Sequence, residues 1–174
     1  MSVAILRRIF AKRQLPDQSL PEEEFDKQVK EAVTEFENSG FLEQVSMPLI
    51  SSDSDFIDKL RQHHNDVVVV KFWKRGCLPC LGLAEMFKAA EQHYLGLNER
   101  MPANGKKVYF YAVDTKNIPC LKTVLYQLVE GTPAIQAFHN SRQIGDEIMA
   151  LQLSTFTHTL DKMVADALRG NSDS

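Results

Sequence analysis

A chain of 174 residues, 44% of them hydrophobic, holds enough apolar material for one packed domain with an appendage. Its formal net charge of −3, with signs scattered along the chain, supplies no basic patch and argues against nucleic-acid binding by the core. No apolar run approaches the roughly 20 residues needed to span a bilayer, and three cysteines do not make a secreted disulfide framework.

Residues 1–18 read as a basic N-terminal segment. Arg7, Arg8, Lys12 and Arg13 precede the first acidic residue, Asp17. Val3, Leu6, Ile9 and Phe10 share a helical sector that Ile5 and Arg13 interrupt. Such a start has the profile of a mitochondrial targeting segment, and it lacks the 7–15-residue apolar core of a secretory signal. The alternative is a basic, frayed terminus on a cytoplasmic protein. Residues 19–45 read as an amphipathic helical extension. Ser19-Leu20-Pro21-Glu22 has the spacing of a capping box. Phe25, Val29, Ala32, Val33 and Phe36 then recur at helical spacing, and Gly40 is a natural stop. That stripe must be covered, either by its own domain or by a partner such as a mitochondrial protein complex.

Residues 46–170 read as an α/β domain. An edge strand is expected over 47–50, then a helix over 53–64 with Ser52 as its cap. Near-continuous apolar residues over 66–73 predict a central strand buried on both faces. A long helix follows over 77–97, with Phe87, Ala90, Tyr94 and Leu97 on one stripe. A strand over 107–113, a helix over 117–128, a hairpin of 133–138 with 144–150, and a closing helix over 154–168 complete a mixed sheet covered on both faces. The polar tail, 170–174, is expected to be disordered.

The chemistry concentrates at Cys77-Leu78-Pro79-Cys80, directly behind the central strand and at the start of the long helix. Two thiols three positions apart there can close a small disulfide ring or open as a dithiol. A helix N-terminus carries partial positive charge and free N–H groups, which favour thiolate over thiol. Lys74 and Arg75 push the same way, and the thiolate is the reactive species. A zinc or iron–sulfur site would need further ligands at matching spacing, and only Cys120 and unpaired histidines remain, so no metal is assigned. Cys120 is either an inert buried residue or a thiol near the site rim. Gly131-Thr132-Pro133 opens an apolar strand, a position suited to a proline that cannot donate to a ladder.

With Val70-Lys71-Phe72-Trp73 before CxxC, a strand ending in Asp114, and Thr132-Pro133 before the next strand, the chain resembles the thioredoxin-like family over 46–169. The resemblance implies that fold and a cis Thr132–Pro133 bond facing the cysteines. It also implies a protein thiol–disulfide oxidoreductase, with Cys77 as attacking and Cys80 as resolving thiol, acting on protein disulfides or thiols without a separate cofactor. Thr132 and Pro133 would align the substrate. Departures from the family also stand out. Lys71 occupies a position usually held by Asp, and it either tunes the thiols or buries its stem while its head reaches water. Gly76 replaces a tryptophan, Glu85 a proline, Leu78 a glycine and Leu81 a lysine. Leu78 and Leu81 are expected either to form an exposed docking surface or to be covered by the N-terminal segment or a partner. These departures keep open an alternative, a non-catalytic thioredoxin-like subunit of a mitochondrial assembly.

Overall fold

Four valines in succession make Val67–Trp73 (β1) a strand suited to burial on both sides, and Trp73 alone of its seven residues is not fully buried. The computed structural model describes residues 3–11, 13–116, 131–149 and 155–169, and places β1 inside a four-stranded sheet. Val108–Asp114 (β2) runs parallel beside it, with Val69 opposite Phe110. Ala134–His139 (β3) lies antiparallel on the other side and pairs in turn with antiparallel Arg142–Met149 (β4). The strand order is β2–β1–β3–β4. Asn140 and Ser141, at φ angles of 52° and 59°, make the tight turn between the last two strands. The α-helices of the described residues are Val3–Ile9 (α1), Glu22–Phe36 (α2), Leu42–Gln44 (α3), Asp53–Gln62 (α4), Leu78–Arg100 (α5) and Phe156–Leu168 (α6).

Alternate side chains of a strand point to opposite faces, so β1 feeds two cores. Val67 and Val69 pack with Phe87 of α5 and with Phe156, Leu160 and Val164 of α6. Val68, Val70 and Phe72 pack with Phe56 and Leu60 of α4. The Ser52 hydroxyl caps α4 by accepting the Asp55 N–H at 3.0 Å. Helix α5 runs unbroken for 23 residues, with Glu85 where a proline would have removed a hydrogen bond.

A third cluster holds the N-terminal extension on the domain. Ile5 and Ile9 of α1, Ala32 and Val33 of α2, Phe41 and Val45 pack against Leu81 and Ala84 of α5. Each large side chain fully buried contributes roughly 1.5–3 kcal/mol. Arg8 pairs with Glu85 of α5, and Arg13 pairs with Glu35 of α2. The Arg8 guanidinium also sits 5.5 Å from the Phe36 ring centroid and 5.4 Å from that of Phe41. The stripe of α2 is therefore covered by its own chain.

Several local expectations need correction. Ile5 does not spoil the face of α1. With Ile9, four residues on, it forms the buried stripe, while Leu6 and Phe10 are half-buried; the Val3 side chain lies outside the described residues. The capping box does not form. Asp17 Oδ1 accepts the Ser19 N–H at 2.8 Å, so the chain turns early, and Pro21 becomes an N-cap without a side-chain bond. Gly40 does not stop the helix. Its φ of +92° bends a π-helical turn, Glu37–Phe41, and α3 follows. The edge strand over 47–50 shrinks to a single parallel bridge, Leu49 with Ala112, since Pro48 has no N–H to offer a ladder. The expected helix 117–128 with Cys120, and the tail 170–174, lie outside the described residues.

Candidate active site

Strand β1 delivers the chain to one end of the sheet, and a sharp corner follows. Lys74 and Arg75 are exposed, Gly76 turns the backbone at φ +74°, and Cys77 caps α5. A residue without Cβ adopts such a φ at little cost. The Cys80 N–H donates to Cys77 Sγ at 3.3 Å, so the sulfur takes one of the orphan donors of the helix start. Pro79 sits in the first helical turn, where its missing N–H is harmless. Cys77 and Cys80 form a disulfide with Cα atoms 5.2 Å apart.

Residues 55 positions apart complete the corner. The Thr132 hydroxyl donates to Cys77 Sγ at 3.6 Å, and the Thr132 carbonyl oxygen lies at the same distance. The Thr132–Pro133 peptide bond is cis, and Pro133 is buried. Cys77, Cys80, Thr132 and Pro133 are thus brought together. Cys77 is not appreciably more exposed than its partner, at 7% against 4%. Its place at the helix terminus, not its accessibility, distinguishes it. Asp114 serves a turn, its Oδ1 accepting the Lys116 N–H at 3.0 Å.

Lys71 lies on the α5 side of β1 and is only 5% exposed. Its Nζ is 5.1 Å from the Phe87 ring centroid and 6.0 Å from that of Trp73. Its stem is buried against those rings, and its head borders a cavity. Burial pushes its pKa down to about 8, with Glu91 opposing that fall and Lys88 adding to it. Lys71, Cys80, Trp73, Arg75 and Leu81 share the wall of a cavity of about 240 Å³.

Of the two alternatives for Leu78 and Leu81, coverage by the N-terminal segment is the one the structure shows. Leu81 is 2% exposed and Leu78 half-buried, because Ile5, Phe41 and Val45 of the extension cover that face of α5. Two residues that the sequence reading passed over touch the corner from this extension. Glu37, only 2% exposed, accepts the Gly76 N–H at 2.9 Å through Oε1. Asn38 Oδ1 accepts from Arg75 Nη1 at 3.2 Å. A signal was present: Glu37 falls four residues after Val33, on the apolar stripe, where a buried carboxylate needs a donor.

Among the described residues, no cluster of three or more His, Cys, Asp or Glu is placed to hold a metal ion. Nor is any helix among them long and apolar enough to cross a membrane.

The thioredoxin family model matches residues 47–162. No curated protein matches the chain. Among solved structures, the thioredoxin of Fasciola hepatica superposes with a TM-score of 0.54 at 15% identity, covering 67% of this chain and 99% of its own. That of Plasmodium falciparum gives 0.53 at 17% identity, over 67% and 98%. That of Schistosoma mansoni gives 0.51 at 22% identity, over 69% and 97%. Such identities carry the fold and nothing finer. With about two thirds of its length matched by the family model, and the CxxC disulfide at the expected corner, this chain belongs to the thioredoxin family.

Proposed function

We propose that the protein is a thiol–disulfide oxidoreductase acting on protein substrates through Cys77 and Cys80. Family membership supports thiol–disulfide exchange in general. The observation that carries the reading for this chain is the Cys77–Cys80 disulfide at the N-terminus of α5, with Thr132 3.6 Å from the Cys77 sulfur.

The reaction follows from this geometry. In the dithiol state the Cys77 thiolate attacks one sulfur of a substrate disulfide. A bond forms between Cys77 and that sulfur, the substrate S–S bond breaks, and the departing thiolate takes a proton from water. Cys80, deprotonated, then attacks the Cys77 sulfur. The Cys77–Cys80 bond forms, the mixed disulfide breaks, and the second substrate sulfur leaves and is protonated. Two electrons pass from the pair to the substrate, and an external dithiol must restore the pair for another turn. Oxidation of a substrate dithiol runs the same steps in reverse.

Surrounding groups fit these steps. The helix N-terminus, Lys74 and Arg75 favour the Cys77 thiolate. Lys71, its pKa pushed down to about 8, shares a cavity wall with Cys80, and in its charged form it favours the Cys80 thiolate. Thr132 and Pro133 border the path of the substrate strand. The dithiol pair is the only redox group the mechanism uses.

The alternative of a non-catalytic binding module finds no support in the family match. Of the two surfaces it would use, the apolar stripe of the N-terminal helix packs on α5, and Leu78 with Leu81 lies beneath the extension. Mitochondrial residence is part of the proposal, supported by the acid-free start with Arg7, Arg8, Lys12 and Arg13. Fractionation of cells expressing the tagged full chain tests it, and a purely cytoplasmic signal contradicts it. For the activity, the test is dithiothreitol-driven reduction of a protein disulfide. Wild type should accelerate it and Cys77→Ser should not; no acceleration by wild type contradicts the reading.

A further inference from the structure

We propose that Glu37 is a positioning residue for the Cys77–Cys80 couple, holding the corner before Cys77 and placing a buried negative charge beside it. The inference rests on the oxidoreductase reading but reaches a residue outside the stretch matched by the family model, 47–162. Glu37 is carried by the π-helical turn Glu37–Phe41 of the extension, which is fixed by Val33 and Phe41 in the cluster on α5. Its carboxylate accepts the N–H of Gly76 at 2.9 Å, one residue before the reactive sulfur. Gly76 has left-handed φ and no Cβ, so side-chain packing cannot hold this corner, and a hydrogen bond to its backbone can. The neighbouring pair, Arg75 to Asn38 at 3.2 Å, makes the clamp two-pronged.

The charge has a consequence of definite sign. A disulfide carries no charge, whereas the dithiol state includes the Cys77 thiolate, so a nearby carboxylate destabilises only the reduced, ionised form. Among the described residues, the charged groups around the corner are Lys74 and Arg75 on the loop, Lys71 on β1, Glu43 on α3, and the Arg8–Glu85 pair joining α1 to α5. Glu37 is the acid that bonds the backbone of the corner directly. It opposes the helix terminus and the loop cations, keeping the thiol from ionising too readily and making the pair a stronger reductant. The extension thereby sets the redox character of the site it covers.

The test is site-resolved alkylation of Cys77 against pH in the reduced full chain, read by mass spectrometry. Glu37→Gln keeps an acceptor for Gly76 and removes the charge. Its alkylation midpoint should fall by about one pH unit, and its potential, measured above that midpoint, should become less negative. Glu37→Asp, which keeps the charge, should stay near wild type. A Glu37→Gln midpoint equal to that of wild type overturns the inference. Amide hydrogen exchange on the unmodified protein gives a second reading that needs no variant. The Gly76 N–H should be protected, and free exchange there overturns the clamp. Both readings are made on the thiol and the amide, not on turnover, so they stand apart from any failure of the protein to reduce substrates.

Discussion

Lys71 Nζ sits 5.1 Å from the centroid of the Phe87 ring, a cation held against the apolar face of α5 on the core side of the central strand. The ring's negative face compensates part of the lost hydration, and burial nonetheless pushes the amine's pKa from 10.5 down to about 8. The facing charges are Glu91 and Lys88, themselves ion-paired.

This placement gives a stability signature. The folded-state pKa lies below the unfolded value, so between pH 8 and 10.5 the unfolded chain binds the extra proton, and stability rises with pH across that window. Below it, carrying the charge costs up to about 3 kcal/mol. Lys71→Met should therefore raise the denaturant midpoint at pH 7, with the gain shrinking by pH 10. An equal gain at both pH values contradicts a buried charge as its cause.

The roles of the two cysteines separate in a trapping experiment. Cys80→Ser leaves the attacking thiol and removes the resolving one, so mixed disulfides through Cys77 should accumulate on non-reducing gels. Absence of adducts alongside an active wild type shows that the roles are assigned wrongly.

Attachment of the extension is tested at Phe41, which is 2% exposed in the cluster shared with Leu81 and Ala84. Phe41→Ala should destabilise the protein by about 3–5 kcal/mol in chemical denaturation, through lost transfer energy and the cavity left behind. A change below about 1 kcal/mol, as surface substitutions give, means that the extension does not pack there in solution.

The thiol chemistry makes its own prediction. Cys77 terminates α5 beside Lys74 and Arg75, so it should alkylate faster than Cys80, with a midpoint below the ordinary thiol value of about 8.5. The Glu37 charge limits how far below. A midpoint above 8.5 rules out net activation by the helix terminus.

What the sequence disclosed is what local chemistry decides. Four valines announce β1, Ser52 announces the cap of α4, and Cys77–Cys80 with Thr132-Pro133 mark the two halves of the site, because each signal sits within a few residues. Long-range choices were less legible. Leu81 looks like an exposed neighbour of the site until Ile5, Phe41 and Val45, from distant segments, cover it. Ile5 breaks a sequence pattern only because the face of α1 that meets α5 is fixed by the docking itself. The Ser19 box lost to Asp17, which captured the same N–H by a shorter turn. Glu37 needed both its own helix and the Gly76 corner in place before its partner could be seen.

Redox titration of the Cys77–Cys80 pair bears most directly on the proposed function. Purified full-length protein is equilibrated in dithiothreitol redox buffers, acid-quenched, and its free thiols are counted by alkylation mass at each cysteine. One two-electron transition is expected, Cys77 and Cys80 together, with a potential between roughly −270 and −120 mV, the span from reducing to oxidising members of this chemistry. A pair that never closes, or that stays closed under every reducing condition in which the protein remains folded, contradicts it.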